Sequence, residues 1–103
     1  MRITCSAPTR IDLAGGTIDI WPLYLFHPPA VTLNAAISLR AHCTIESRND
    51  RRVVIISEDT GERVEADNPE ALGVKTLALP ARLVKHFGAR GLTLTTRSDS
   101  PVG

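Results

Sequence analysis

The stretch from Ser6 to Asp19, with the sequence SAPTRIDLAGGTID, says most about the fold. Its middle alternates in polarity: Ile11 and Leu13 fall on one side of an extended chain, and Arg10 and Asp12 fall on the other. Two glycines follow directly, and paired glycines supply backbone angles that other residues resist. The stretch therefore predicts a strand, a tight turn, and a loop that presents the final aspartate.

Alternation of apolar and polar residues predicts further strands along the chain. These are residues 39–46, 53–57, 63–65 and 92–96. The run 39–46 is the clearest, and 63–65 is expected to be a short edge strand. At the start of the chain Ile3 and Cys5 also alternate with polar residues, and Pro8 is expected to interrupt that strand.

One helix is predicted between the strands. Asn68 and Pro69 are typical of a helix start, which predicts a short turn near residues 70–72. A main helix is expected from about Thr76 to Phe87, because apolar residues recur there at helical spacing and a glycine follows. The order of elements predicts one α+β domain with a mostly antiparallel sheet and one helix. We expect this fold to be incomplete, with an uncovered sheet face through which the chain could self-associate.

The segment 18–30 combines three prolines with most of the aromatic residues. Prolines prevent a long helix, so we expect an irregular segment with a packed aromatic cluster. Trp21, Tyr24 and Phe26 could form the floor of a sugar site, since aromatic rings stack on apolar sugar faces; core packing of the loop is the alternative.

Composition and charge exclude several classes of protein. The 103 residues carry 12 Lys and Arg against 11 Asp and Glu, a formal charge of +1, which offers no electrostatic basis for nucleic-acid binding. The apolar runs are far shorter than the ~18–20 residues that cross a bilayer, and no apolar signal core begins the chain. Cys5 and Cys43 lack metal-ligand spacing, which favours buried thiols in a reducing cytoplasm, with a single disulfide as the alternative.

The chemistry of the first stretch allows two interpretations. A guanidinium from Arg10 and a loop carboxylate from Asp19 are suited to a polyol, because the carboxylate accepts hydrogen bonds from hydroxyls and the arginine stabilises negative charge. The alternative is a strand and turn with a surface salt bridge between Arg10 and Asp12.

Residues 7–19, APTRIDLAGGTID, resemble the first motif of the GHMP small-molecule kinases, in the form found in the heptose-phosphate and fucose kinase branch. Residues 31–37, VTLNAAI, resemble the strand after the family's substrate loop. Residues 98–103, SDSPVG, resemble the approach to its glycine-rich second motif. One position departs from the pattern: Ile18 stands where the family usually has threonine, which removes a hydroxyl contact.

The resemblance implies transfer of the γ-phosphoryl of ATP to a hydroxyl of a sugar or sugar phosphate, with Mg²⁺ bridging the phosphates. Arg10 matches a catalytic arginine near the reacting hydroxyl, and Asp19 matches the aspartate that binds substrate hydroxyls. The turn residues Gly15, Gly16 and Thr17 belong to the same substrate site. The start of the ATP loop corresponds to Pro101, Val102 and Gly103, and no residue of this chain is expected to bind the metal.

The resemblance also implies where these residues stand in a longer protein. Residues 1–103 correspond to the N-terminal part of the GHMP kinase N-terminal domain, which has a ribosomal protein S5 domain 2-like fold, and they stop where the ATP loop begins. We expect this fragment to be inactive by itself. The alternative is a non-catalytic S5-like module that binds RNA or another protein.

Overall fold

A mixed sheet organises the chain. The computed structural model describes residues 1–18 and 20–101, and within them the sheet contains five strands. The strands are β1 (Arg2–Ala14), β2 (Leu33–Ser47), β3 (Val53–Ser57), β4 (Arg63–Ala66) and β5 (Leu92–Ser98). They lie in the order β1-β2-β5-β3-β4. The predicted α+β class with a mostly antiparallel sheet is confirmed, with one addition: β3 and β5 are parallel.

The helices differ from the prediction in number and in one boundary. Helix α1 (Leu23–Phe26) is an unpredicted single turn, short enough to fit between the prolines of its segment. Helix α2 (Ala78–Phe87) begins two residues later than expected. Pro80 lies in its first turn, where backbone N–H groups have no partner within the helix, so the proline costs no hydrogen bond.

The predicted signals at helix ends are present. Asn68 accepts a hydrogen bond from the backbone N–H of Ala71 at 2.9 Å through Oδ1, and it caps the 3₁₀ turn Pro69–Ala71. Gly88 ends α2 in the left-handed region at φ 58°. These local features fix the start of the 3₁₀ turn and the end of α2.

Pro8 does not interrupt β1, contrary to expectation. The strand continues from Arg2 to Ala14, and the pairing with β2 only shifts register between Pro8 and Arg10. Because β1 is an edge strand, a residue without an N–H is tolerated there, and the irregularity absorbs the missing hydrogen bond.

The hydrophobic core lies at one end of the sheet. Val53 and Ile55 of β3 are fully buried, and Ala81 and Val84 of α2 pack in the same cluster. Fully burying a side chain of this kind contributes about 1.5–3 kcal/mol, so this end carries most of the packing energy.

The other end of the sheet is a two-stranded ribbon. The pairing of β2 with β5 covers residues 41–47, whereas its pairing with β1 continues to Leu33. Residues 8–14 of β1 and 33–40 of β2 therefore extend past their neighbours. In the part of the chain that is described, no helix has the length and apolar character to cross a membrane.

Candidate functional site

The first motif lies along the projecting ribbon and its tip. In the register of β1 and β2, Arg10 pairs with Ala36 and Asp12 pairs with Asn34. The tip is the turn at residues 16–18. This places the motif beside residues of the second matching stretch, 31–37, which run antiparallel to it.

Arg10 and Asp12 share a face of β1, as the alternation predicts. The Nε of Arg10 lies 3.6 Å from Oδ1 of Asp12, and both side chains are exposed. Exposed ion pairs contribute only about 0–1 kcal/mol, so this contact leaves the guanidinium available to an anionic ligand. The surface salt bridge and the binding arginine are therefore compatible interpretations.

Gly15 shapes the turn. Its φ is 80°, and a Cβ there would collide with the backbone oxygen of Val31. Its carbonyl accepts a hydrogen bond from the N–H of Ile18 at 3.0 Å and one from Oγ1 of Thr32 at 3.2 Å. Position 15 therefore needs glycine for its backbone angle and for the close approach of the loop that follows α1.

Gly16 lies against the carboxylate of Asp12. A Cβ at this glycine would stand 3.2 Å from Oδ2 of that aspartate, tighter than ordinary van der Waals contact. Thr17 follows in the turn with an exposed side chain. The backbone at Gly16 thus lies close to Asp12, and the turn presents Thr17 to solvent.

A cavity opens beside this turn. It has a volume of about 390 Å³ and is lined by Tyr24, Pro28, Ala30 and Thr32. The hydrogen bond from Thr32 to Gly15 joins the cavity wall to the glycine turn. A space of this size beside hydroxyl groups is suited to a small polar metabolite.

The aromatic segment does not form the packed cluster that we expected. Trp21 and Phe26 are each 71% exposed. The short helix α1 has no buried residue, so the segment lies outside the hydrophobic core. Tyr24 is 43% exposed and lines the cavity, so it is not packed into the core of the described residues, and the sugar-site interpretation stays a prediction.

The end of β5 meets β1 at the base of the ribbon. The hydroxyls of Thr9 and Ser100, 91 positions apart, lie 3.3 Å from each other. Thr9 also donates to the carbonyl of Leu39 at 2.9 Å. Ser100, in the stretch 98–103, therefore lies against Thr9, the residue that precedes Arg10. Of the predicted ATP-loop residues Pro101 is described and exposed, whereas Val102 and Gly103, like the substrate residue Asp19, lie outside the described residues.

Asp99 is a polar residue that the sequence reasoning missed. Its Oδ2 lies 3.1 Å from Nε2 of His42 and accepts from the backbone N–H of Arg40 at 3.2 Å. The hydrogen bond from His42 and that from the Arg40 backbone hold the pKa of the Asp99 carboxyl below its usual range. The sequence offered no signal for this contact, because it depends on β2 and β5 being neighbours.

The described residues bring no metal site together. Across residues 1–18 and 20–101, no three His, Cys, Asp or Glu side chains converge in a way that could hold a metal ion. The described residues include only the first residue of the predicted ATP loop.

The chain is similar in sequence and fold to proteins described as sugar kinases. No protein-family model matches the chain. The fold is similar to that of a candidate sugar kinase from Campylobacter jejuni, with a TM-score of 0.69 and 34% identity over 97% of this chain. It is also similar to a D-glycero-D-manno-heptose 1-phosphate kinase from Bacteroides thetaiotaomicron, with a TM-score of 0.75 and 29% identity over 99% of this chain.

A curated protein is also similar to this chain in sequence. The D-glycero-alpha-D-manno-heptose 7-phosphate kinase of Campylobacter jejuni is 37% identical over 98% of this chain. The resemblance to the heptose-phosphate branch of the GHMP kinases is therefore confirmed. The chain spans about a third of these relatives: 32% of the curated protein, and 35% and 32% of the two solved chains.

Proposed function

We propose that this chain is the N-terminal part, residues 1–103, of a GHMP-type kinase that phosphorylates a sugar phosphate, with a phosphorylated seven-carbon sugar as acceptor. Its similarity to two heptose-phosphate kinases supports the substrate class. The observation that carries the proposal is the contact between Thr9 and Ser100, through which two stretches far apart in sequence meet at the residue that precedes Arg10.

The acceptor side of the reaction belongs to this chain. In the proposal Asp19 accepts hydrogen bonds from sugar hydroxyls, while Gly15, Gly16 and Thr17 form the wall that the sugar approaches. Arg10 acts beside the reacting hydroxyl, where a positive charge favours loss of the proton and offsets developing negative charge. The weak pairing of Arg10 with Asp12 supports this role, because little energy is needed to redirect the guanidinium.

ATP and Mg²⁺ are assigned to the longer protein. Pro101, Val102 and Gly103 begin the ATP loop in this proposal, and the cation ligands lie outside the described residues. The domain is proposed to have the S5 domain 2-like fold and the protein to work in the cytoplasm. The α+β sheet and the two free thiols support these assignments.

Substitution of Asp19→Ala in the longer protein tests the proposal. Hydrogen bonds to a charged group contribute about 1.5–3 kcal/mol, so KM for the heptose phosphate should rise about 10- to 100-fold. KM for ATP should stay within about twofold, because the proposed aspartate contacts only the acceptor. Asp67→Ala is the control, since Asp67 is an exposed carboxylate at the far end of the sheet.

Three results would contradict the proposal. The first is an equal loss of affinity for ATP and sugar in the Asp19 variant. The second is a reading frame that does not continue into a glycine-rich loop after Gly103. The third is retention of RNA at low salt with a steep salt dependence, which would favour the non-catalytic alternative. The 103-residue chain itself should transfer no phosphoryl group.

A further inference from the structure

The two cysteines of the chain face each other across adjacent strands. Cys5 of β1 and Cys43 of β2 are direct partners in the antiparallel register. Opposed residues in such a pair have Cα atoms about 4.5–5.5 Å apart. Disulfides span Cα separations of about 4.4–6.8 Å, so the backbone already has a separation that a disulfide accepts.

The two thiols lie close enough to affect one another. Burial is the main cause that raises the pKa of the Cys43 thiol, and the neighbouring Cys5 thiol adds to it. Cys5 is exposed and Cys43 is half-buried. A small thiol reagent therefore reaches Cys5 more readily than Cys43.

A cavity gives access to the pair. Both cysteines line an open, mostly apolar hollow of about 500 Å³ on the helix-bearing face of the sheet, with Ala7, Ala41 and Thr96 as neighbours. It is large enough for a reagent of the size of glutathione. No part of the proposed kinase site, from Arg10 to Thr17, lines this hollow.

We propose that Cys5 and Cys43 form a dithiol site that small-molecule disulfides oxidise to a cross-strand disulfide. The thiolate of Cys5 attacks one sulfur of the oxidant; a mixed disulfide forms, and the other half leaves as a thiolate. Cys43 then loses its proton and attacks the Cys5 sulfur, which releases the second half. The protein loses two electrons and two protons, and one disulfide reagent becomes two thiols.

The cross-link would fix the register of β1 on β2. It lies between the packed end of the sheet and the projecting ribbon, and it joins an edge strand that has only one neighbour. Oxidation is therefore expected to stabilise the base of the ribbon, and reduction is expected to release it. The site is independent of the proposed kinase reaction.

The test compares the folded and the denatured chain. The 103-residue protein is equilibrated with mixtures of reduced and oxidised glutathione, and the cross-linked fraction is read from intact mass and peptide mapping. The cross-linked fraction at each glutathione ratio gives the effective concentration of one thiol at the other. We expect this effective concentration to be at least about tenfold higher in native buffer than in guanidinium chloride. A ratio of one or less, or a native protein that keeps both thiols, would overturn the proposal.

Two matched variants separate the roles of the sulfurs. Cys43→Ala should accumulate a stable glutathione adduct on Cys5, because no second thiol resolves it. Cys5→Ala should react more slowly, because the remaining thiol is half-buried. Equal rates in the two variants, or covalent dimers formed faster than the internal bond in the unsubstituted chain, would count against the site.

Discussion

Gly15 is a residue whose identity the local geometry dictates twice, by its positive φ and by its contact with the chain at Val31. Gly61, in the turn between β3 and β4, also has a positive φ, of 69°, but a Cβ there would meet nothing within 4 Å. A substitution at Gly61 therefore tests backbone strain alone, whereas a substitution at Gly15 tests backbone strain together with a steric collision.

Alanine at these two positions should have different effects. Gly61→Ala should lower the free energy of unfolding by about 1 kcal/mol, the cost of a non-glycine residue in the left-handed region. Gly15→Ala should cost about 1–3 kcal/mol more, because the turn and the loop must also move apart. Urea denaturation measures the free energy of unfolding of both variants. Equal decreases would show that the turn and the loop move apart without a cost in free energy.

Asp99 is expected to give the chain a distinct acid sensitivity. Its pKa is lowered in the folded protein from an ordinary value of 3.8, so the stabilisation is complete above that value. It disappears as the pH falls through the lowered pKa, because protonation removes the charge that His42 and the Arg40 backbone stabilise.

Asp99→Asn tests this sensitivity. The difference in unfolding free energy between the original chain and the variant should be constant between about pH 4 and 5 and should shrink below about pH 4. Asp67→Asn is the control, because that carboxylate is almost fully exposed and should show little change over the same range. A difference that is independent of pH would contradict the role given to Asp99.

Helix α2 is amphipathic, and its two faces differ in burial. Val84 is 5% exposed and packs in the core, whereas Leu79 is 71% exposed. Both are apolar, so hydrophobicity alone does not distinguish them; their position around the helix does.

Truncation to alanine should reveal the two faces of α2. Val84→Ala removes two buried carbons and leaves a space, so it should lower the free energy of unfolding by about 2 kcal/mol. Leu79→Ala should change it by less than about 0.5 kcal/mol, as expected for an exposed site. Thermal or urea denaturation measures the difference, and similar effects would mean that α2 packs in another orientation.

The whole molecule is more extended than a compact domain. Its radius of gyration is 17.1 Å. A compact domain of about 100 residues has a value near 13 Å. The ribbon extends past the neighbouring strands. The ribbon and the segment 20–31 carry exposed apolar side chains: Ile11, Leu13, Ile20, Trp21, Leu25, Phe26, Val31 and Leu33.

Such a surface predicts self-association of the 103-residue chain. Phe26→Glu should weaken association at least about tenfold, because a charge would have to be buried in an apolar contact. Phe87→Glu on α2 is the matched control, with the same residue type and a comparable exposure of 75% against 71%. Sedimentation over a range of concentrations measures both. A chain that stays monomeric, or equal effects of the two variants, would contradict association through the ribbon.

Local signals made most of the elements predictable. The alternation at residues 39–46, 53–57 and 92–96 and the signals at Asn68 and Gly88 depend on neighbouring residues, and the structure retains them. The errors concern Pro8 and the aromatic segment. Both depend on what lies next to the element, since an edge strand tolerates proline and an uncovered loop leaves its aromatic side chains exposed.

The amino-acid sequence by itself determined the α+β class, the strand and glycine turn of the first motif, and the resemblance to heptose-phosphate kinases, because these depend on residue type and short spacing. Tertiary structure alone decided that Thr9 meets Ser100, that His42 meets Asp99 and that Cys5 faces Cys43. These contacts join residues 38 to 91 positions apart, and they exist because β2 pairs with β1 on one side and with β5 on the other. Strand order is set by the total packing of the sheet and α2, a global property to which short-range patterns contribute only in part.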